Sequence, residues 1–329
     1  MLAQEEIMQQ RSLGKLFLLV GLASTAAPAA DTFPSRPVRM VVPLTAGSGA
    51  DIAGRIVGRG LTDIWKQSVV TDNRPGAGGQ IGTQVVVNAN ADGHTLLVQS
   101  ASHAANPAIY EKLPYDSLKD LADVALLGTS PYIMVAAPSG PYRDLKALIA
   151  AAKAKPGEIP FASAGVGSST HLTAEYFNQV AGIRMIHVPF KGSPEAITDA
   201  ATGRVAFYMA PIGTAIGMAQ DGRVRVLGVT SGRRVPQLPN VPTIAEQGLA
   251  GFEIDLWFGM WAPAQTPRAV LQKINADVNR VLQAAEVKEQ YAKLGMTPGG
   301  MTMEQFAAFV RSEIGKYQKI VKLADIKPL

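Results

Sequence analysis

Two stretches of this chain combine glycine with hydroxyl side chains in a way that suits an anion. The first is Pro43-Leu44-Thr45-Ala46-Gly47-Ser48-Gly49-Ala50-Asp51. The second is Ala162-Ser163-Ala164-Gly165-Val166-Gly167-Ser168-Ser169-Thr170-His171. Each follows a short apolar run and precedes a helical pattern. Glycine lets backbone approach a ligand closely, and hydroxyls beside the free N–H groups of a helix start can hold a carboxylate without lysine or arginine. Taken singly, each stretch reads better as a tight turn whose Ser, Thr or Asp caps the following helix. Their occurrence as a pair, in equivalent places of two similar halves, makes a shared ligand the competing reading.

Other loops carry weaker signals. Asn73-Arg74-Pro75-Gly76-Ala77-Gly78-Gly79-Gln80 is dense in glycine, so backbone must fit somewhere tight or simply turn. Ser100-Ala101-Ser102-His103 places a hydroxyl and an imidazole after a strand, and Lys191-Gly192-Ser193 offers one positive charge or a solvated surface lysine. The four histidines lack metal-ligand spacing, and His94 and His187 read as structural. Gly-x-Ser-x-Gly is absent, which removes the hydrolase nucleophile elbow. Dinucleotide binding by an oxidoreductase is the nearest enzymatic alternative. Gly47-Ser48-Gly49 follows a strand and Asp72 lies at ribose distance, but Ile52 stands where the third glycine belongs. The expectation is therefore a protein that binds and does not catalyse, with no cofactor and no metal.

The elements that must position these loops alternate. Strands are expected at residues 37–43, 67–70, 95–98 and 122–127, with a helix from Asp51; the pattern restarts after Pro131 with strands at 132–137, 159–163, 184–188, 205–209 and 224–230. Asp144 caps a helix over 145–155, and another runs from His171 to Val180. This alternation predicts parallel βαβ units in two α/β lobes. Thr266-Pro267 reads as a helix start and Thr302-Met303-Glu304-Gln305 as a capping box, so two amphipathic helices are expected to close the chain against the first lobe. The expected division is residues 30–132 with 259–329 as lobe one and 133–258 as lobe two. A cleft between lobes is where small ligands bind, at the carboxyl ends of the strands.

The bulk properties agree. The chain has 329 residues, 47% of them apolar and 17% charged, and a net charge of +5. No Lys/Arg run exceeds two residues, which disfavours nucleic acid and leaves a mild attraction for anions. Without cysteine there are no disulfides, thiol nucleophiles or lipid-anchored cysteines. Arg11 and Lys15, the apolar stretch Leu16–Ala23 and the small residues Ala27-Pro28-Ala29 read as an export signal (1–29) cleaved near Ala29, which predicts a periplasmic protein.

The run Asn73-Arg74-Pro75-Gly76-Ala77-Gly78-Gly79, with Asp92-Gly93-His94-Thr95-Leu96-Leu97, Asn106-Pro107-Ala108-Ile109-Tyr110 and His187-Val188-Pro189-Phe190-Lys191-Gly192, resembles the Bug family. These TctC-like proteins are periplasmic receptors of tripartite tricarboxylate transporters. Leu238-Pro239-Asn240-Val241-Pro242-Thr243 and Trp257-Phe258-Gly259 extend the likeness over the whole mature chain. The resemblance implies a type II periplasmic-binding-protein fold with hinged lobes and integral membrane subunits as partners. It also implies a carboxylate ligand: a di- or tricarboxylate or an aromatic acid. Delivery to a signalling partner instead of a transporter remains the alternative. Carried over, the ligand contacts are Thr45, Ala46, Gly47 and Ser48 on one loop and Ser163, Ala164, Gly165, Gly167, Ser168 and Thr170 on the other. Gly78, Gly79, Ser102, His103, Lys191 and Pro211 face them. Two positions depart from the family pattern. Leu44 replaces a frequent aromatic residue, and Ala210 stands where an Asp often precedes the proline, which predicts a ligand without an ammonium group.

Overall fold

Residues 33–323 and Ile326 are described by a computed structural model; the expected export signal lies outside them. The first four strands are β1 (Val38–Val42), β2 (Val69–Asn73), β3 (Thr95–Ser100) and β4 (Leu121–Ala136). The next four are β5 (Pro160–Ser163), β6 (Ile186–Pro189), β7 (Tyr208–Pro211) and β8 (Arg225–Val229), and the last two are β9 (Asp255–Pro263) and β10 (Thr297–Pro298). They hydrogen-bond in the order β2-β1-β3-β9-β4-β7-β5-β6, with β8 and β10 also paired to β4. The helices between them are α1 (Gly49–Trp65), α2 (Gln80–Val87), α3 (Ser102–Ile109), α4 (Leu145–Ala154), α5 (Ser169–Ala181), α6 (Ser193–Ala201) and α7 (Ile212–Gln220). After β9 come α8 (Arg268–Gln283), α9 (Ala285–Lys293) and α10 (Met303–Leu323).

The α/β class stands, but the sheet is mixed where parallel units were expected. β1 is parallel to β2 and β3, and β5 is parallel to β6 and β7, whereas β9 runs antiparallel to β3 and β4. The expected strands at 122–127 and 132–137 are one strand, β4. Its first part pairs with β9 as far as Pro131↔Asp255, and from Tyr132 it pairs with β7 and β8. Proline has no N–H to give a ladder, so it is tolerated at the point where the partner strand changes. The two halves of the sheet thus share a continuous backbone.

Elsewhere pairing overrode local polarity. β2 extends through Thr71, Asp72 and Asn73 because β1 supplies ladder partners as far as Val42↔Asn73, and Asp72 there binds Arg39 and Arg74. Three helices close the chain where two were expected, α9 being the addition. Thr266 is not their cap: its hydroxyl donates back to Pro263 O, and Pro267 stands at the start of α8. The expected Asp144 cap and the Thr302/Gln305 box are both present, the latter with reciprocal bonds of 2.9 and 3.2 Å. β9 is buried along almost all its length, with Trp257 Nε1 donating to Glu313 on α10 and Trp261 Nε1 to Asp123 on β4. These bonds carry the closing helices onto the strand where the two halves meet.

Candidate functional site

The β1–α1 loop is held by a buried carboxylate. Asp51 accepts from the N–H of Gly47 (2.9 Å), from Arg55 Nε (2.9 Å) and from Asn73 Nδ2 (3.0 Å), and the same Asn73 amide donates to Leu44 O. Burial pushes the Asp51 pKa up, but these hydrogen bonds outweigh it and hold the group below the ordinary carboxylate range. Ser48 caps α1 from an extended backbone, accepting from Asp51 N. Gly47, at φ +77°, occupies the left-handed region that favours glycine.

The β5–α5 loop is built alike. Ser168 caps α5, accepting from His171 N (3.2 Å) and donating to Gly165 O (2.7 Å), while Thr170 Oγ1 accepts from Ala164 N (2.9 Å). Beneath it His171 and His187 stack at 3.8 Å with their rings 16° apart. His187 Nε2 lies 2.6 Å from Ser163 Oγ, and His171 Nδ1 accepts from Gly167 N. Burial lowers the pKa of His171 to about 3, helped by repulsion from His187, and burial lowers His187 to about 4, so both rings are neutral at pH 7. They hold the loop at both ends.

The two loops meet at a pair of cavities that share Leu44 and Ala164. The inner one measures ≈ 20 Å³. It is walled by the hydroxyl residues Ser48, Ser100, Ser102, Ser168, Ser169, Thr170 and Ser193, with Gly49, Ala50, Pro211, Leu256 and Phe258. The starts of α1, α3, α5, α6 and α7 all contribute to it. Ser169 N donates across it to Ser102 Oγ (2.9 Å), and among the described residues the N–H groups of Gly49, Ala50 and Thr170 have no protein acceptor. Converging helix starts make such a cavity electropositive without a charged side chain. The outer cavity measures ≈ 540 Å³ and opens between the turn 75–79, the β5–α5 loop and residues 189–195. Lys191 and Glu195 are its only ionisable lining residues. Tyr110 Oη donates to Val166 O across the cleft.

Of the expected contacts, Ser48, Ser102, Ser168, Thr170 and Pro211 line the inner cavity, Gly78, Gly79, Gly165 and Lys191 the outer, and Ala164 both. Thr45, Ala46, Gly47, Ser163, Gly167 and His103 line neither. Ala46 and Gly47 lie exposed on the rim, and Thr45 faces the turn at Gly192. Ser163 spends its hydroxyl on its own loop and on His187, and Gly167 packs on Tyr110. His103 is buried against Trp261, ring centroids 4.1 Å apart, and desolvation lowers its pKa to about 3. Ala210 also lies off both walls, in the apolar core opposite Ile133. Sequence reasoning did not single out Ser100, Ser169 and Ser193, which stood inside the quoted loops, or Phe258, which was quoted only as part of the family likeness.

The description "Tripartite tricarboxylate transporter family receptor", TctC, matches residues 53–326. The chain is 39% identical over 314 residues to the "UPF0065 protein in tcbD-tcbE intergenic region" of Pseudomonas sp. (strain P51), covering 95% of this chain and 94% of that one. Among solved structures, R. palustris Rpa4515 with adipate superposes with a TM-score of 0.87 at 32% identity, over 90% of this chain and 100% of that one. The periplasmic binding protein BugD superposes with a TM-score of 0.85 at 30% identity, over 90% and 100%. The chain belongs to the TctC family of tripartite tricarboxylate transporter receptors, which are periplasmic substrate-binding proteins and not enzymes.

Proposed function

We propose that this protein captures a small organic carboxylate at the meeting point of the β1–α1 and β5–α5 loops and hands it to the integral membrane subunits of a tripartite tricarboxylate transporter. The observation that carries the reading is the inner cavity, where helix starts and seven hydroxyl residues converge without an acidic side chain. A carboxylate there takes hydrogen bonds from Ser48, Ser102 and the free N–H groups. The adipate held by Rpa4515 belongs to the same ligand chemistry. Residues 30–132 with 259–329, and 133–258, act as lobes that close on the ligand, bending where β4 changes partners. The segment 1–29 directs export and is then cleaved near Ala29.

The preference for a ligand without an ammonium group now rests on this acid-free wall in place of Ala210, since an ammonium buried there has no counter-charge. The test is a thermal-shift screen of organic acids and acidic amino acids, together with mass spectrometry of whatever co-purifies. Stabilisation by carboxylates is expected. Strong stabilisation by aspartate or glutamate alone sinks the reading.

A further inference from the structure

Tyr110 closes the run Asn106–Tyr110, which carried part of the family likeness without a role of its own. It ends α3 in extended backbone, at φ −99° and ψ 126°. Asn106, one helical turn earlier, is fully buried and donates to Gly78 O at 3.4 Å, which holds the turn 75–79 against α3. Tyr110 reaches the other way: its Oη donates to Val166 O on the β5–α5 loop at 3.0 Å. The ring passes between two glycines, one on each side of the cleft. A Cβ at Gly167 would lie 2.7 Å from both Cε2 and Oη of Tyr110, and one at Gly78 would lie 3.0 Å from Oη and 2.7 Å from Val166 O. Those distances are well inside van der Waals contact, so neither glycine leaves room for a side chain. Tyr110 nevertheless lines neither cavity, unlike Ser102 and Ser169, whose own bond joins two walls of the inner one.

We infer that Tyr110 is a positioning residue for ligand retention: its hydroxyl latches α3 to the β5–α5 loop when the lobes close, and it slows the release of an acid that it does not touch. This rests on the hinged-lobe receptor reading above. A bound acid escapes when the lobes part, so a bond made in the closed state alone lengthens residence and leaves the encounter rate as it was. Because the hydroxyl is spent on a protein carbonyl, its factor is the same for every acid the cleft accepts.

Stopped-flow kinetics with adipate and succinate test this. Tyr110→Phe keeps the ring and removes the hydroxyl. It is expected to raise the release rate of both acids by the same factor, about two- to tenfold, with association unchanged and the unliganded melting temperature within a few degrees. A side chain that served folding alone would lower the melting temperature and leave the release rate as it was. Gly167→Ala brings the same strain at φ +76° in any background, but it meets a ring only where one is present. It is therefore expected to speed release more in the parent than in Tyr110→Ala. Equal effects in the two backgrounds, or an unchanged release rate in Tyr110→Phe, overturn the latch. So does a change confined to one acid, which would make Tyr110 a ligand contact. The chain has no cysteine, so spin labels on Asp63→Cys in α1 and Lys153→Cys in α4, both exposed, report the distance between the lobes without any acid. There Tyr110→Phe is expected to move population to longer distances. If neither acid binds the parent, the carboxylate reading falls by itself and this distance decides the latch. Identical distributions in the parent and Tyr110→Phe overturn it.

Discussion

Gly192 offers the sharpest test of closure. Its φ of −179° is extended backbone that any residue adopts, so Gly192→Ala brings no conformational strain. What it brings is a collision between the residue 189–195 turn and the β1–α1 loop. A Cβ at Gly192 lies 2.9 Å from Thr45 Cβ and 3.1 Å from Thr45 Cγ2, with Thr45 Oγ1 nearer still. Turning Thr45 about χ1 moves the oxygen and the methyl group, but Cβ stays. Carbon atoms rest about 3.5–4.0 Å apart, so the two backbones must separate by roughly 0.5–1 Å. Overpacking of this kind costs about 1–3 kcal/mol. If the loops part when the lobes open, that cost falls on the closed, liganded state alone. Affinity then drops about 5- to 150-fold while the unliganded protein melts as before. Titration calorimetry with the co-purifying acid, beside thermal melts with and without it, reads both quantities. Unchanged affinity refutes the reasoning. So does a loss of unliganded stability equal to the loss of binding energy, because the loops would then touch in both states.

Three further outcomes follow from the site. Ser168→Ala removes the cap of α5 and a wall of the inner cavity, so it should lower stability by about 1 kcal/mol and weaken every acid ligand alike; a cap loss with unchanged binding would place the ligand elsewhere. Asp51→Ala frees Gly47, Arg55 and Asn73 together and should cost more than an ordinary surface change, with urea denaturation as the measure. Acid should loosen the β5–α5 loop. The unfolded chain protonates its histidines at about pH 6.5, while His171 and His187 refuse protons until about 3 and about 4. Stability is therefore complete above pH 6.5 and declines as pH falls, by roughly 2 kcal/mol from His171 between pH 6.5 and 5 and by nearly as much from His187. His187→Phe should flatten that slope in denaturant melts at pH 7 and 5; an unaltered slope counts against the pair.

How much of this was legible depended on whether a feature is local. The caps Ser48, Ser168 and Asp144 and the Thr302 box were readable because each is a contact over about three residues. β9 was not, since its buried run of Trp, Phe and Met takes its place from Leu97↔Trp261 and Leu126↔Gly259 pairings far away in sequence. Two of the expected positions that line neither cavity, His103 and Ala210, turn on side-chain phase. Ser102 and His103 are neighbours, but a helix turns about 100° per residue, so when α3 begins at Ser102 the hydroxyl meets the cavity and the imidazole swings back onto Trp261. Ala210 and Pro211 are neighbours on a strand, where successive side chains point to opposite faces, so Pro211 walls the cavity and Ala210 enters the core. The family likeness pointed to these loops and could not resolve the phase within them. Ligand preference in this chain is therefore better argued from residues that line the cavities than from a substitution at Ala210, whose side chain lies in the apolar core.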